Sequence, residues 1–596
     1  MTFVKEIKAG SREFCQNWLR YLLLFMGLSL FNQFIVIPLF RYITTFVLQA
    51  SAIPFVSYQN VVTIITTHTV AFLILIIELL LLLVILYAQL AYLLHGVWDI
   101  KHQVFTWKNS FIQTWQNIKK IRLGTLFILM LYFLLVVPLA DVIFRTPLLS
   151  KVQISEFILD YLTRTPILLA VLIAFYLAAL ILGARLVFAL PIIVFDHLKS
   201  AQAVKRSWRL TAHYRWRTIC RRIIILAVLS AAVMTIFYLA MYCLQLLVDL
   251  LPGKCPLILA IVNLSLVQII SEVALVYVSV LGLSIILKAL RQEKISQTGK
   301  TKKIILSTLV VFVLVMINAI STNYLYLTSV NAKAPVIISH RGVDDKNGVQ
   351  NTLQSLRKTA KEKPDYVEID VHETKDKKFI VIHDENLLKL TGVNKAPNDL
   401  TLRQLEKLTA KEDGYHAKLV SFDQYLEEAK RLHQKLLIEI KTTAKDSKKM
   451  LQRFNQKYGK TILKNAYQVQ SLDYRVVEGL HLINPRLVVF YIQPYNFTYP
   501  QSVASGYSME YSTLNSDFIW QAHLQDCPVY AWTVNDEKLM KKMMYQQVDG
   551  LITDRVDLAK KVIKSFQKDA SYATRILNYI VVLHLSKNLS LHEDLI

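Results

Sequence analysis

Three carboxylates in the second half of the chain have the spacing of a metal site. Glu368 and Asp370 are two residues apart in the run VEIDV, so a β-strand there would point both side chains to one face. Glu439 ends a second predicted strand, LLIEI. Like charges on one face are costly unless a cation lies between them, and oxygen ligands favour Ca²⁺ or Mg²⁺. The alternative, a solvated strand edge, suits one carboxylate better than three.

Two histidines and two cations accompany these carboxylates. His340 and His383 end separate predicted strands, and two imidazoles facing one cavity can divide acid and base work near neutral pH. Arg341 and Lys441 add fixed positive charge at the same strand ends. Cations aimed at a metal-binding cluster fit an anionic ligand that bridges the metal, most simply a phosphate. The other histidines of this half are expected to be structural or exposed: His372, His416, His433, His481 and His523.

Short strands that alternate with helical patterns must position these residues. APVIISH, DYVEIDVHET, FIVIHD and KLLIEIK are followed by NAYQVQSL, RLVVFYI, PVYAWTVN and DGLITD. Strands and helices that alternate over about 230 residues predict an α/β fold of the TIM type, a (β/α)8 barrel. Functional groups of such a barrel gather at the carboxyl ends of its strands.

The first half of the chain consists of long apolar blocks. The whole chain has 596 residues, of which 54% are hydrophobic, and its mean hydropathy of +0.38 is too high for a soluble protein of this size. A bilayer-spanning helix needs about 20 apolar residues. We predict an all-α transmembrane domain of about seven helices in residues 1–330, the barrel in 331–560 and a tail in 561–596. The blocks are 19–40, 66–94, 123–144, 166–194, 223–250, 258–287 and 304–326.

The loop charges predict how the chain crosses the membrane. Lys and Arg collect at the N-terminus and after the second, fourth and sixth blocks, and eight of them lie between Lys199 and Arg222 alone. The remaining loops are poor in cations. Because basic loops stay on the cytoplasmic side, we expect a multi-pass protein of the cell membrane with a cytoplasmic N-terminus and an extracellular barrel.

The same loops account for much of the formal net charge of +25. No basic groove interleaved with aromatic residues stands out, so nucleic-acid binding is not expected. Among the five cysteines, only Cys527 falls in the predicted extracellular region, which excludes a disulfide within it. The oligomeric state is left open by the sequence.

The ordered motifs of the second half resemble the glycerophosphodiester phosphodiesterase family. SHRG is followed by QNT, then by VEIDVHETKDKKFIVIHDENLLKLTG, LLIEIK, QSL, AWTVN and DGLITD, over about residues 335–557. The order and spacing of the motifs carry the resemblance. The apolar half is similar, in architecture more than in motifs, to the membrane domain that precedes such catalytic domains in bacterial proteins.

The resemblance implies a reaction and a set of roles. The reaction is hydrolysis of a glycerophosphodiester to sn-glycerol 3-phosphate and an alcohol, by way of a cyclic phosphate. His340 and His383 would be the acid/base pair, although the sequence does not say which is which. The implied phosphate ligands are Arg341 and Lys441, the implied metal ligands are Glu368, Asp370 and Glu439, and Trp532 would line the substrate pocket. The alternative for Trp532 is barrel packing.

One position departs from the family pattern. The family usually has Glu-Asn-Thr where this chain has Gln350, Asn351 and Thr352, so a carboxylate is absent. Metal affinity would be lower if that carboxylate supports the metal or its waters, and activity is still expected because the metal and histidine positions are intact. Two other classes of function remain open beside the enzyme. They are a transporter or lipid translocator that uses the barrel as a substrate-binding module, and a catalytically silent receptor or scaffold. The retained histidines favour the enzyme.

Ionisable residues inside the apolar blocks indicate a further role for the membrane half. Glu78, Arg185, Glu272 and Asp141 are either structural or belong to a polar cavity. We expect this half to bind membrane lipid and to position a lipid-linked or teichoic-acid-like glycerophosphate substrate. In the tail, an apolar run of about ten residues is too short to span a bilayer and is expected to form a surface helix.

Overall fold

The computed structural model describes residues 3–51, 53, 61–140, 163, 165–212, 215–290, 303–328, 334–495, 502–568 and 571–581. The chain divides into two compact units, Met1–Leu327 and Thr328–Ile596. The regular structure of the first unit is helical, with short turns between helices, in the residues that are described. Its helices are Phe3–Phe31, a π-helical stretch Asn32–Val36, Ile37–Ala50, Val61–Thr67, Thr69–Lys101, Trp107–Lys119, Leu123–Ala140, Pro166–Leu186, Ala189–Asp196, Ser200–Leu210, Arg215–Val248, Cys255–Leu290 and Lys303–Thr328.

Among the described residues of this unit, five helical segments are long and apolar enough to cross a membrane. They are Ile7–Ala50, Thr69–Lys101, Pro166–Asp196, Ile224–Val248 and Cys255–Lys288, and they coincide with five of the seven predicted blocks. The other two blocks fall on Leu123–Ala140 and Lys303–Thr328. Residues 141–144 of the first of these blocks, and many side chains of the second, lie outside the described residues.

Burial within the first unit fits a lipid environment. Tyr21, Leu94 and Val280 belong to one buried cluster that joins the helices Phe3–Phe31, Thr69–Lys101 and Cys255–Leu290. By contrast, only 11% of the most apolar stretch of Thr69–Lys101 is buried inside the protein. An apolar surface of this extent is unstable in water and stable against hydrocarbon, so this unit is a membrane domain.

The second unit is an eight-stranded parallel barrel, as the sequence predicts. The strands are β1 (Val336–Ser339), β2 (Tyr366–Glu373), β3 (Phe379–Val381), β4 (Thr409–Glu412), β5 (Tyr415–Lys418), β6 (Val420–Ser421), β7 (Leu436–Ile440), β8 (Gln468–Ser471), β9 (Val489–Gln493), β10 (Gly506–Glu510), β11 (Val529–Trp532) and β12 (Gly550–Thr553). The barrel order is β1-β12-β11-β10-β9-β8-β7-β2, and β2 pairs with β1 to close it. β3 and β6 extend β2 as an antiparallel edge, and β4 pairs with β5 in a separate hairpin.

Helices follow the strands around the barrel and cover it. They are Leu353–Thr359, Leu388–Thr391, Leu402–Leu405, Phe422–Arg431, Met450–Lys464, Tyr474–Ile483, Ser516–His523, Glu537–Tyr545, Val556–Lys568 and Tyr572–Asn578, with 3₁₀ turns at His340–Gly342, Ala360–Glu362 and Pro397–Asp399. The predicted boundary at residue 560 falls inside Val556–Lys568, which begins directly after β12. In the tail, Asn578 Nδ2 donates to the Tyr545 hydroxyl at 3.0 Å, so the end of the helix Tyr572–Asn578 contacts the helix Glu537–Tyr545.

The two-residue alternation of the strands separates the barrel interior into an apolar and a polar end. Ile338, Leu437, Phe490, Tyr530 and Ile552 form one buried cluster inside the barrel. Side chains two and four residues further along the same strands share the inward face at the carboxyl end. On β1, β7 and β12 the first of these positions is ionisable (His340, Glu439 and Asp554), whereas β9 and β11 carry Ile492 and Trp532 there, so the charged part of the mouth lies along β1, β7 and β12.

An insertion between β3 and β6 forms a small subdomain over the barrel mouth. Val349 of the barrel packs with Leu387, Leu405 and Ala410 of the insertion in a buried apolar cluster of its own. This packing holds the β4–β5 hairpin in place. Glu412, the last residue of β4, is thereby positioned next to Gln350.

Candidate active site

The three predicted metal ligands lie together on two adjacent strands. β2 and β7 are parallel, and their register pairs Asp370 with Glu439. One carboxylate oxygen from each of Glu368, Asp370 and Glu439 lies within 4.8 Å of the others, and all three residues are buried. This donor set consists of hard, anionic oxygens alone, so the residues present fit Ca²⁺ or Mg²⁺.

Buried charge raises the proton affinity of two of these carboxylates. Burial, reinforced by the charges of Asp370 and Glu439, raises the pKa of Glu368 well above its ordinary value. Burial also raises the pKa of Glu439. Burial acts in the same direction on Asp370, but Lys441, His383 and Arg341 outweigh it and lower the pKa of that carboxyl. A divalent cation among the three would favour the ionised form of each.

Lys441 neutralises the β7 side of the cluster. Its Nζ lies 2.6 Å from Glu439 Oε1 and 3.2 Å from Asp370 Oδ1. Burial acts to lower the pKa of Lys441, but the two carboxylates outweigh it and raise that pKa, so the ammonium keeps its proton. Lys441 thus places a permanent positive charge at the carboxyl end of β7.

Arg341 connects the carboxylates to the loop after β1. Its backbone N–H donates to Glu368 Oε2 at 2.8 Å, and its left-handed conformation, with φ of 51°, turns the chain there. The guanidinium Nη1 donates to Gln350 Oε1 at 2.7 Å, while Nε lies 3.7 Å from Asp370 Oδ2. Asn351 fixes Asp370 from the same loop, since its Nδ2 donates to Asp370 Oδ2 at 2.9 Å.

Gln350 is supported by a residue that the sequence did not single out. Its backbone N–H and its side-chain Nε2 donate to the two carboxylate oxygens of Glu412, at 2.9 and 2.6 Å. A carboxylate is therefore present one hydrogen bond further from Arg341 than the usual family sequence would place it. No sequence signal connects positions 350 and 412, because the contact depends on how the insertion folds.

Each predicted acid/base histidine has a carboxylate at Nδ1. His340 Nδ1 lies 2.8 Å from Asp554 Oδ1, and Asn535 Nδ2 donates to the other oxygen of Asp554 at 2.7 Å. Burial opposes ionisation of Asp554, but His340 and Asn535 outweigh it and lower its pKa to about 2. Asp554 follows β12 in the motif DGLITD, so its position at a strand end is the sequence feature that would have indicated it.

His383 has its own carboxylate partner and a fixed backbone. Its Nδ1 lies 3.0 Å from Oδ1 of Asp384, the next residue, and burial lowers the pKa of His383 to about 4. His372 Nε2 lies 3.2 Å from the His383 carbonyl oxygen. His372, expected to be structural or exposed, is buried and holds the backbone of the second histidine.

Trp532 ends β11 on the inward face of the barrel. It is half-buried, and its indole Nε1 donates to the Ser508 carbonyl at 3.0 Å. β12 separates its strand from β1, which carries His340. The charged cluster itself brings together seven of the eight predicted residues: His340, Arg341, Glu368, Asp370, His383, Glu439 and Lys441.

Comparisons with known proteins assign both halves of the chain. Residues 7–323, more than half of the chain, match the family model described as the membrane domain of glycerophosphoryl diester phosphodiesterase. Residues 340–558 match the model of the glycerophosphoryl diester phosphodiesterase family. YhdW of Bacillus subtilis (strain 168), provisionally named a glycerophosphodiester phosphodiesterase, is 29% identical over 238 residues, which are 38% of this chain and 96% of YhdW. The glycerophosphodiester phosphodiesterase of Bacillus altitudinis is 25% identical over 241 residues, 38% of this chain and 97% of that protein.

A similar solved structure is that of an Oleispira antarctica phosphodiesterase in complex with the product sn-glycerol-3-phosphate. It has 20% sequence identity and a TM-score of 0.35, and the match covers 39% of this chain and 97% of that one. The membrane-domain match and the barrel match follow each other along the chain in the order that the two structural units have. The chain belongs to the glycerophosphoryl diester phosphodiesterase family, as a membrane protein whose hydrolase barrel follows a membrane domain.

Proposed function

We propose that the barrel hydrolyses glycerophosphodiesters to sn-glycerol 3-phosphate and an alcohol, using Ca²⁺ or Mg²⁺ and two histidines. The observation that carries this proposal is the buried group of three carboxylates, faced by Arg341 and Lys441. Membership of a hydrolase family favours this reaction over a translocator in which the barrel only binds substrate.

Arg341, Lys441 and the residues that would hold a metal ion surround the place proposed for the substrate phosphate. When bound by Glu368, Asp370 and Glu439, the ion supplies Lewis-acid stabilisation of charge on the phosphate oxygens. The Arg341 guanidinium and the Lys441 ammonium bind those oxygens from the protein side. Both cations already contact Asp370, so the substrate phosphate enters a site whose positive groups are held in place before binding.

The two histidines transfer protons at two different oxygens, the one that attacks phosphorus and the one that leaves it. One ring nitrogen accepts the proton of the glycerol 2-hydroxyl as its oxygen bonds to phosphorus, and the other histidine protonates the leaving alkoxide as the phosphorus–oxygen bond breaks. Water then opens the cyclic phosphate, with the proton transfers reversed. Asp554 and Asp384 occupy Nδ1 of the two rings, which directs each Nε2 to the reaction.

The first experiment measures release of glycerol 3-phosphate by the full chain in detergent. Glycerophosphocholine, glycerophosphoglycerol and a lipid-linked glycerophosphate polymer are compared with Ca²⁺, Mg²⁺ or chelator, and His340→Ala is the control. Release that needs a metal and is lost in the variant supports the proposal. Release unaffected by chelator, or retained by His340→Ala, would overturn the metal and histidine roles.

We propose further that the barrel lies outside the cytoplasm and that the membrane domain positions a lipid-linked substrate. Basic loops support the orientation. Glu78, inside a predicted span, is buried and accepts from Thr44 Oγ1 at 2.5 Å, which fits a polar site within the helices. Arg185 instead donates to the Thr211 carbonyl and lies over the Trp208 ring, which supports a structural role. Glu272 is exposed, and Asp141 lies outside the described residues.

A further inference from the structure

The inward face of β10 carries a carboxylate to which neither the sequence nor the proposed chemistry gives a role. Ser508 Oγ donates to Gln470 Oε1 at 2.8 Å, and Gln470 Nε2 donates to Glu368 Oε1 at 3.4 Å, so Ser508 faces the barrel interior. Glu510 lies two residues further along the same strand. Strand alternation therefore points its side chain into the interior as well, at the carboxyl end where the active site lies.

The two carboxylate oxygens of Glu510 differ in their hydrogen bonding. Oε2 accepts from Ser512 Oγ at 2.5 Å and from the Thr513 backbone N–H at 3.0 Å. Oε1 is buried and, among the described residues, has no hydrogen-bond partner. Glu510 is only 1% exposed, and burial raises its pKa. A buried acceptor without a donor is unfavourable, and a ligand that supplies a donor would relieve it.

Trp532 lies directly beside this carboxylate. β10 and β11 are adjacent parallel strands whose register pairs Glu510 with Trp532, and the Tyr511 N–H donates to the Trp532 carbonyl at 3.1 Å. Both side chains therefore face the barrel mouth. Because its indole N–H is already bonded to Ser508, Trp532 offers a ligand its aromatic face. An apolar face next to a hydrogen-bond acceptor suits a carbon chain that bears hydroxyl groups.

The strand order keeps this pair away from the phosphate site. Three strands separate β10 from β2 in either direction around the barrel, so Glu510 and the Glu368–Asp370 pair lie on opposite walls. A carboxylate also repels phosphate oxygens. The group that reaches Glu510 must therefore belong to a part of the diester other than its phosphate.

We propose that Glu510 and Trp532 form a hydroxyl-binding subsite, in which Glu510 Oε1 accepts a hydrogen bond from a free hydroxyl of the diester. The hydroxyl belongs either to the glycerol moiety or to the leaving alcohol. A quaternary ammonium group such as choline would also bind beside an aromatic ring and a carboxylate, but it has no N–H to donate to Oε1. The subsite rests on the proposed phosphodiesterase function and makes the barrel selective for polyol diesters.

The test uses two pairs of substrates that differ only in the number of their hydroxyl groups. The first pair is glycerophosphocholine and its propane-1,2-diol analogue, which lacks the terminal hydroxyl of glycerol but keeps the hydroxyl next to the phosphate-bearing carbon. The second pair is glycerophosphoglycerol and glycerophosphopropanol, which differ in the leaving alcohol. Values of kcat/KM are measured with the full chain in detergent for the native protein, Glu510→Ala, Glu510→Gln and the control Ser512→Ala.

We expect the native protein to prefer the hydroxylated member of one pair by about tenfold or more, since the deoxy analogue leaves Oε1 unpaired. Glu510→Ala should remove that preference, while Glu510→Gln and Ser512→Ala keep most of it, because an amide still hydrogen-bonds a hydroxyl. The substrate pair for which Glu510→Ala removes the preference shows whether the bound hydroxyl belongs to the glycerol moiety or to the leaving alcohol.

A different set of results would overturn the subsite. The subsite is contradicted if Glu510→Ala lowers kcat/KM for both members of each pair by the same factor. It is also contradicted if Glu510→Ala and Glu510→Gln lower kcat/KM equally and only for the choline diesters, which would indicate cation binding. Thermal unfolding of each variant in detergent separates loss of folding from loss of selectivity, and the Gln variant keeps the acceptor for Ser512 and Thr513. Absence of turnover by the native protein on all four diesters would instead contradict the phosphodiesterase proposal.

Discussion

Asp370 and Glu439 are register partners on adjacent parallel strands, and Lys441 Nζ contacts both of their carboxylates. Lys441 and Arg341 supply two positive charges, while Glu368 brings the number of buried carboxylates within 4.8 Å of one another to three. The group as a whole keeps an excess of buried negative charge that a divalent cation would neutralise. The same charges that bind a metal must destabilise the barrel without it.

Glu439→Gln should weaken metal binding and stabilise the metal-free barrel. We expect the metal concentration for half-maximal activity to rise by roughly tenfold or more, because one anionic ligand is lost. Thermal unfolding in chelator should occur at a higher temperature than for the native protein, since a buried like charge is removed. Isothermal calorimetry and melting curves with and without Ca²⁺ check both effects. Unchanged metal affinity would exclude Glu439 as a ligand.

Asp554→Asn should lower kcat strongly with little change in KM. The carboxylate that orients His340 would be replaced by an amide, which favours the wrong tautomer, and the expected loss is roughly 10²- to 10⁴-fold. Asp549→Asn is a matched control, because Asp549 precedes the same strand and pairs with His523 at 2.7 Å outside the cluster. Equal kcat losses in the two variants would contradict a positioning role for Asp554.

Gln350 and Glu412 should behave as an exchangeable pair. Gln350→Glu alone removes the Nε2 donor to Glu412 and places two carboxylates against each other. Their repulsion should displace the side chain that holds Arg341, and we expect kcat/KM to fall by about tenfold. Combining it with Glu412→Gln restores one amide and one carboxylate, so the double variant should recover most of the activity. Additive losses in the double variant would show that the two residues act independently.

The strand ends and the polar residues along them were enough to predict the fold class and the cluster that Arg341, Asp370 and Lys441 join. The strand assignment was wrong at two places, because FIVIHD forms the antiparallel edge strand β3 and the barrel strand β10 was not predicted. Periodicity reports local conformation and burial, and the carboxyl ends of parallel strands meet wherever the barrel closes. Glu412 could not be predicted in this way, because it reaches Gln350 through the packing of an insertion. Glu510 lies in a strand without an obvious motif, and only its unpaired oxygen distinguishes it.

The orientation predicted from the basic loops can be tested with cysteine variants. In a background with the native cysteines replaced by serine, Lys448→Cys reports on the exposed surface of the barrel and Lys205→Cys on the most basic loop. A membrane-impermeant maleimide applied to intact cells should label the first variant and spare the second until the cells are permeabilised. Labelling of Lys205→Cys in intact cells would contradict the predicted orientation.

Glu78→Gln should separate lipid-linked from soluble substrates. If the membrane domain positions a lipid-linked glycerophosphate, removing the buried Glu78 carboxylate, which accepts from Thr44, should lower kcat/KM for the polymer by about tenfold or more. Turnover of glycerophosphocholine should stay within about twofold of the native value, because the soluble diester needs only the barrel cluster. Glu272→Gln is measured in parallel, and its exposed position predicts a smaller effect on the polymer. Equal losses on both substrates, or none on either, would leave the membrane domain as an anchor, since a residue that positions lipid must act on the lipid-linked substrate alone.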